Sequence, residues 1–181
     1  LEGPYRAPLE MARPHKGRSE IAMAHSTPPE AAPRKLDDVA RMFGQIKQSV
    51  ALGISIILVE RGSALLQLPY SDRIIGDPET GIVHGGVVTT LMDSAAGCAV
   101  LSVTPEGYTI ATLDLRIDYL QPAVAGQDIR GFAECYKRTR NLAFVRGIAY
   151  HEDRSDPIAN FTACFMSRAG NLMPGMEWPD T

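Results

Sequence analysis

One stretch of the chain decides its fold. Residues 81–101 read GIVHGGVVTTLMDSAAGCAVL. From Val87 to Leu101 the residues are apolar or small, apart from two threonines, an aspartate and a serine, and none is proline. A helix that is apolar on nearly every side belongs in the interior of a protein. Small residues such as Ala96 and Gly97 would let a sheet pack close to the backbone of this predicted helix.

Strand-like runs flank the predicted buried helix on both sides. Before it, an apolar repeat of three and four residues predicts an amphipathic helix over residues 36–50. After it, apolar residues alternate with charged ones over residues 113–119, which predicts a strand with one buried face. One helix, two strands, a buried helix and four strands indicate an α+β fold with an antiparallel sheet. The predicted strands cover residues 54–59, 64–68, 113–119, 129–138, 142–151 and 158–167.

The size and composition of the chain indicate a single domain. Its 181 residues, of which 45% are hydrophobic, suffice for one full core but are few for two. Six of the thirteen prolines lie in the first 33 residues, so we expect residues 1–33 to form a tail that is flexible or contacts a partner subunit. The predicted domain covers residues 34–170, and residues 171–181 are expected to form a second tail.

Charge and cysteine usage argue against several classes of function. A net charge of -3 and a pI near 5.8 provide no basic surface for nucleic acid or an anionic membrane. Cys98, Cys135 and Cys164 show no zinc-ligand spacing, so we expect reduced core residues and no metal site. No apolar run approaches the roughly 20 residues that cross a bilayer, and no signal peptide is recognisable. We therefore expect a cytoplasmic protein without cofactor.

Asp93 is the most informative single residue because it lies inside the apolar helix. A buried carboxylate is costly, and it marks either a hydrogen-bonded structural acid or a catalytic one. The same helix is preceded by His84-Gly85-Gly86, where free N–H groups and the helix dipole favour a negatively charged oxygen. The N–H of Gly85 or Gly86 could therefore polarise a bound carbonyl group, although glycine pairs before helices also serve tight turns.

These residues carry a resemblance to a known family. Residues 81–93 resemble the signature of hotdog-fold acyl-CoA thioesterases of the phenylacetate-degradation type, including the spacing from His84 to Asp93. Residues 111–123, ATLDLRIDYLQPA, and residues 141–144 provide further matches, and the resemblance covers about residues 36–168. It implies a hotdog fold, in which an antiparallel sheet wraps around a long central helix. It also implies an acyl-CoA substrate and a homodimer or homotetramer with active sites at the subunit interface.

The resemblance assigns roles to individual residues. It implies that Asp93 acts as general base or nucleophile and that the Gly85 backbone donates to the thioester oxygen. Thr112 corresponds to a hydroxyl residue that assists the attacking water, and His84 is interpreted as an organiser of the loop. The chain departs from the family where an asparagine or glutamine commonly precedes the histidine. Here the nearest candidate is Asp77, which could equally be the turn-forming residue of an Asp-Pro pair.

Three basic residues are candidates for binding the phosphates of coenzyme A. Lys137, Arg138 and Arg140 cluster at a predicted hairpin, and arginine binds phosphate in a bidentate manner. The alternative interpretation is a solvated turn, because charged hairpin tips are common without a ligand.

Two other functions stay open at this point. A hotdog dehydratase or hydratase would need a histidine and an acid that move protons on carbon, whereas a non-catalytic acyl-CoA binding protein would retain the fold without turnover. The residue pattern leaves open the acyl group, the choice between coenzyme A and carrier-protein thioesters, and the choice between dimer and tetramer.

Helix geometry predicts how the two halves of the site are distributed. Gly85 and Asp93 are eight residues apart, which places them roughly 12 Å apart along one helix. Reacting atoms must approach to about 3 to 3.5 Å. We therefore expect Gly85 of one subunit to share a site with Asp93 of the other, as two-fold symmetry permits.

Overall fold

The computed structural model describes residues 34–170, which form one antiparallel sheet packed around one long helix. The tails predicted at residues 1–33 and 171–181 lie outside the described residues. The helices are α1 (Leu36–Phe43), α2 (Lys47–Ala51) and α3 (Gly85–Val103). The strands are β1 (Ser55–Glu60), β2 (Ser63–Leu68), β3 (Ile75–Asp77), β4 (Ile82–Val83), β5 (Tyr108–Tyr119), β6 (Ile129–Arg138), β7 (Leu142–Tyr150) and β8 (Pro157–Ala169).

Six of the strands form the main sheet, in the order β1-β2-β6-β7-β8-β5, and every neighbouring pair is antiparallel. The helix α3 packs against all six of these strands. The predicted α+β hotdog architecture, with a sheet around a long central helix, is therefore confirmed. The short hairpin of β3 and β4, which precedes α3, was predicted only as a region dense in turn-forming residues.

The helix α3 is the centre of the core because its apolar residues contact the sheet. Leu91, Met92, Ala95 and Ala96 are fully buried. A side-chain carbon at Gly131 of β6 would lie 2.9 Å from Leu91, so this glycine allows the strand to approach the helix closely. The helix α3, with 19 residues, is long enough and apolar enough to cross a membrane. The expectation that no segment of the chain meets these two criteria was therefore wrong. Burial against the sheet identifies α3 as a core helix.

The single helix expected over residues 36–50 is divided into α1 and α2. The helical hydrogen bonds end at Gly44, whose N–H donates to the Ala40 carbonyl. Glycine favours this break because it has a low helix propensity. In the second segment Ser49 is fully buried, and its hydroxyl lies 3.4 Å from the Ser94 hydroxyl of α3.

The strand β5 differs from its predicted form in length and burial. It begins at Tyr108 rather than at Leu113, and it forms the edge of the sheet with β8 as its only described neighbour. A β-bulge at Leu113 interrupts the pairing with β8, so the predicted alternation is not continuous. Leu113 and Tyr119 are 56% and 51% exposed, which corrects the expectation that both side chains are buried.

The cysteines occupy two kinds of environment. All three are free thiols, but only Cys98 on α3 is buried in the core. Cys135 and Cys164 are half-buried on β6 and β8, so the expectation of three core residues holds for one of them.

Candidate active site

A cavity of about 530 Å³ lies between α1, α2, α3 and the first half of β5. Its walls are mostly apolar, and Asp93 is the one charged residue among them. Both α1 and α2, which Gly44 separates, contribute residues to the wall that faces α3. The lining residues are Met42, Phe43, Ile46, Gln48, Ser49, Thr90, Asp93, Ser94, Gly97, Cys98, Leu101, Thr109, Ile110, Ala111, Thr112 and Phe165.

Asp93 and Thr112 meet in the wall of this cavity. The Thr112 hydroxyl donates a hydrogen bond of 2.9 Å to Oδ1 of the half-buried Asp93 carboxylate. The bulge at Leu113 directly follows Thr112, and bulges commonly re-aim a side chain next to an active site. The contact is compatible with the roles that the resemblance implies for these two residues, since an oriented carboxylate beside a hydroxyl can bind and deprotonate a water molecule.

His84 caps the N-terminus of α3. Its Nδ1 accepts a 3.0 Å hydrogen bond from the N–H of Gly86, so the ring proton lies on Nε2. A side-chain carbon at Gly86 would contact the imidazole at 3.0 Å, which explains why glycine fits at that position. This geometry supports the interpretation of His84 as an organiser of the loop. It also shows that the Gly86 N–H is already occupied within the chain.

The backbone N–H of Gly85 is available as a hydrogen-bond donor at the start of α3. Among residues 34–170, no group accepts a hydrogen bond from its N–H. Gly85 is the first residue of the helix, so its N–H points outward along the positive end of the helix dipole. Such a group can stabilise the oxygen of a polarised carbonyl. The geometry thus makes Gly85, rather than Gly86, the suitable backbone donor.

The structure adds Tyr119, which the sequence interpretation had not considered for the site. Its hydroxyl donates to the Gly85 carbonyl at 2.7 Å and lies 2.9 Å from the Thr89 hydroxyl. The phenol ring covers Gly85, where a side-chain carbon would lie 3.3 Å from the tyrosine oxygen. Alternation along β5 had placed Tyr119 on the face towards the helix, but only tertiary packing shows that it braces the first turn.

Two polar residues of α2 also border the cavity and were missed. Gln48 Nε2 donates to the Thr90 hydroxyl at 3.3 Å, and the hydroxyls of Ser49 and Ser94 lie 3.4 Å apart. The prediction of one uninterrupted helix concealed this contact, because the orientation of α2 depends on the break at Gly44.

Asp77 is the last residue of β3, directly before the turn to β4, and it does not border the cavity. Its carboxylate accepts hydrogen bonds from the Thr80 hydroxyl at 2.6 Å and from the Glu79 N–H at 3.0 Å. The Thr80 hydroxyl, followed by the Glu79 N–H, lowers the pKa of Asp77 below its ordinary value. The turn-forming interpretation therefore describes what this side chain does in the structure, and a catalytic role for Asp77 stays a prediction.

The three basic candidates lie at the hairpin between β6 and β7, outside the cavity wall. Lys137 and Arg140 are exposed, and Arg138 is half-buried. Arg138 shares a register row with Thr112, from which it is separated by Ala143 and Phe165. Three strand spacings amount to about 14 Å, so Arg138 and Thr112 do not meet in one subunit. The role of Lys137, Arg138 and Arg140 in phosphate binding stays a prediction.

Within the described residues, no three histidine, cysteine, aspartate or glutamate side chains are grouped so that they could hold a metal ion.

Comparison with known proteins gives a consistent family. The model of the thioesterase superfamily matches residues 80–158. The chain is 26% identical over 129 residues to the medium/long-chain acyl-CoA thioesterase YigI of Escherichia coli, with 64% of this chain and 82% of that protein covered. Two curated relatives with 40% and 29% identity are matched over about half of their length.

Solved structures give the same result. A protein from Pseudomonas aeruginosa is 44% identical, with a TM-score of 0.66 and coverage of 73% of this chain and 98% of that one. The phenylacetic acid degradation protein PaaI of Thermus thermophilus, solved as a mutant, is 26% identical, with a TM-score of 0.58 and coverage of 66% and 97%. The matched segment contains the capped start of α3, Asp93 and Thr112, and the chain belongs to the thioesterase superfamily with a hotdog fold.

Proposed function

We propose that this protein hydrolyses acyl-CoA thioesters to a free acid and coenzyme A. The observation that carries the proposal is the Asp93 carboxylate, held by Thr112 in the wall of a mostly apolar cavity. An apolar cavity with few converging polar groups is typical of a small-molecule site. The acyl-CoA thioesterase name of the Escherichia coli relative supports the choice of substrate class.

The proposed reaction uses the groups of the cavity and of the helix start. The thioester carbonyl oxygen accepts a hydrogen bond from the Gly85 N–H, which stabilises the negative charge that develops there. Thr112 orients a water molecule while Asp93 removes a proton from it, and the resulting hydroxide attacks the carbonyl carbon. The tetrahedral intermediate then collapses, the C–S bond breaks, and the thiolate of coenzyme A leaves with the electron pair. If Asp93 instead attacks the carbon itself, water hydrolyses the resulting anhydride.

The proposed site needs two subunits. Gly85 and Asp93 lie on the same continuous helix α3, so they are roughly 12 Å apart within one chain. The edge of β5 supports a homodimer, because this strand of 12 residues has no partner on its outer edge among residues 34–170, and such an edge invites pairing with a second copy. Leu113, Tyr119 and Leu120 are each more than half exposed beside that edge. We propose that the dimer aligns Gly85 of one subunit with Asp93 of the other.

We favour hydrolysis over a dehydratase reaction because of the hydrogen bond that His84 makes. A base that removes a proton from carbon needs an unprotonated ring nitrogen that faces the substrate. The unprotonated Nδ1 of His84 is engaged with the Gly86 N–H, and Nε2 carries the proton. This arrangement suits a structural cap, and it leaves Asp93 as the base.

The proposal is tested by mixing the protein with a panel of acyl-CoAs and a thiol reagent. Thiol in excess of the protein's own cysteines, which a sample without substrate measures, appears only on hydrolysis. Binding without this release would establish a non-catalytic acyl-CoA binding protein instead. Asp93→Asn retains the size of the side chain but removes its charge. We expect kcat to fall about 100-fold or more, with binding of acyl-CoA little changed.

Asp37→Asn is the matched control, since Asp37 is an exposed carboxylate in the first turn of α1. It should leave the rate unchanged. Near-normal turnover of Asp93→Asn would remove Asp93 from the mechanism.

A further inference from the structure

One face of α3 runs along the whole length of the cavity. Asp93, Gly97 and Leu101 all border it, and they are spaced by four residues, which places them on the same side of a helix. The rise of an α-helix puts Gly97 about 6 Å and Leu101 about 12 Å from Asp93 along the axis. The cavity therefore extends away from the proposed base along its own helix.

The wall opposite α3 follows the same direction. Thr112 lies across from Asp93, with which it is hydrogen-bonded, and Ile110 lies across from Gly97. Alternate residues of a strand share a face, so Ile110 and Thr112 both point towards α3. Met42 and Phe43 of α1 complete the wall with apolar surface.

The polar groups of the cavity are concentrated at the end that contains Asp93. Thr90, Ser94 and Thr112 are there, together with Gln48 of α2. Thr109, farther along β5, donates its hydroxyl to the Gly170 carbonyl at 2.8 Å and so is already satisfied. An apolar chain in this cavity would therefore cover a far wall whose polar group already has its hydrogen-bond partner. No residue that lines this end is charged, so a charged group there would lose its water without gaining an opposite charge in the wall.

Arg34 lies beyond the end of the cavity opposite Asp93. Its guanidinium donates to the Met42 sulfur at 3.0 Å and to the Tyr108 carbonyl at 2.8 Å. These two bonds tie α1 to the start of β5, directly beyond the lining residues Met42 and Thr109. Leu101 is the α3 lining residue farthest from Asp93, so the apolar part of the wall formed by α3 ends about 12 Å from the proposed base.

Gly97 keeps the middle of the cavity open. A side-chain carbon at this position would meet only the Cδ1 atom of Ile110, at 4.0 Å, so the space belongs to the cavity rather than to packed protein. Glycine within a helix lowers its stability relative to alanine. Nothing in the local packing requires glycine here, since α3 passes no neighbour closely at this point.

We infer that the acyl group is an uncharged chain of medium length that lies along α3, and that Gly97 is the residue that determines its length. The inference rests on the proposed thioesterase function and specifies its substrate. An extended alkyl chain advances about 1.3 Å per carbon, given a C–C bond of about 1.5 Å. The roughly 12 Å between Asp93 and Leu101 then accommodates about eight to ten carbons.

The test compares hydrolysis of acyl-CoAs from two to sixteen carbons by the wild type and three variants. The wild type should be most active on octanoyl- and decanoyl-CoA. Gly97→Leu should lower kcat/KM for decanoyl-CoA by roughly 30-fold or more. The leucine side chain would exclude several methylenes from the cavity, and the burial of each methylene contributes about fourfold to binding. Activity on butyryl-CoA should stay within about threefold of the wild type, since the reacting groups are untouched.

Two further variants separate cavity length from helix stability. Gly97→Ala should raise Tm by about 2–4 °C while shifting the preferred chain one or two carbons shorter, so stability and long-chain activity change in opposite directions. Ile110→Ala removes the group opposite Gly97, and combined with Gly97→Leu it should restore part of the activity on decanoyl-CoA. An unchanged chain-length profile in Gly97→Leu would overturn the inference.

Binding of thioether analogues distinguishes failure of this inference from failure of the proposed function. S-octyl-coenzyme A should bind the wild type more than 100-fold more tightly than S-ethyl-coenzyme A, at about fourfold per methylene, and Gly97→Leu should abolish most of that difference. If the wild type hydrolyses no acyl-CoA but shows this binding pattern, the acyl site stands and the hydrolytic function does not. If hydrolysis occurs while the binding difference is absent, the function stands and the acyl site is refuted.

Discussion

At the scale of single residues, the candidate chemistry depends on one carboxylate and the groups around it. Asp93 was singled out because a carboxylate in an apolar helix needs a partner. The structure supplies that partner as the Thr112 hydroxyl, 19 positions away along the chain. A carboxylate that is oriented by a hydroxyl, and that borders a cavity with no other charged residue, has the surroundings of a catalytic base.

Thr112 should contribute less to the rate than Asp93. In Thr112→Val the shape is kept while the hydrogen bond to Asp93 is lost, so we expect kcat to fall about 10-fold by loss of orientation. Thr112→Ser retains the hydroxyl and should retain most of the activity. Steady-state kinetics on one acyl-CoA measure both variants. Equal rates for the valine and serine variants would assign Thr112 to strand packing alone.

Asp77→Asn tests the departure from the family pattern. Asparagine can still accept a hydrogen bond from the Glu79 N–H, so the turn between β3 and β4 should persist. If Asp77 occupies the polarising position, the new amide should maintain or raise kcat, because it can donate to a carbonyl. Thermal unfolding provides the control for the turn. A clear fall in kcat at unchanged Tm would mean that the carboxylate itself is needed.

At the scale of elements, α3 combines three tasks that its sequence pattern indicated separately. Its apolar faces form the core, its N-terminus presents the Gly85 N–H, and one side borders the cavity. The other elements were predicted with less success. The break at Gly44 and the bulge at Leu113 are single-residue interruptions, and an apolar pattern that continues through them does not display either one.

Cys98 on α3 should make stability depend on pH in the alkaline range. Burial raises the pKa of its thiol from about 9 to about 12. The unfolded chain therefore loses this proton first, so the contribution of Cys98 is complete below pH 9 and is lost as pH rises towards 12. At pH 10.5 the loss amounts to roughly 2 kcal/mol, since one pKa unit corresponds to about 1.4 kcal/mol.

Urea unfolding at pH 8 and pH 10.5 measures this effect. The free energy of unfolding should fall less between the two pH values in Cys98→Ala than in the wild type, because the contributions of the other groups cancel in the comparison. An identical pH dependence of the two proteins would contradict the burial of the thiol. At pH 8 a thiol reagent should modify the half-buried Cys135 and Cys164 before Cys98.

At the scale of the whole molecule, the proposed site depends on how two subunits meet. Mixing Asp93→Asn subunits with Gly85→Pro subunits should restore activity. Proline removes the N–H at the first helical position, where its fixed φ angle suits the helix. The preceding His84 has ψ of 127°, a conformation that proline accepts in its neighbour. In each mixed dimer one site then carries both lesions and the other carries neither.

Random exchange makes half of the dimers mixed, so activity should recover to roughly a quarter of the unmutated level. Gly85→Ala is the matched control, because it adds a side-chain carbon near Tyr119 but keeps the N–H. If subunits exchange and activity stays absent, both groups serve the same subunit's site and the shared-site model is wrong.

The order of the six main strands, the buried helix, the antiparallel sheet and the choice of Asp93 and Thr112 as candidate residues could be inferred from the sequence. Periodicity and a long motif report such features directly, because they depend on residues that are close in the chain or on a shared family pattern. The cavity, the bracing of Gly85 by Tyr119, and the space beside Gly97 were decided only by the tertiary structure. These features depend on gaps of a few ångströms between α1, α3 and β5, and distances between segments that are remote in sequence are set by packing rather than by local propensity.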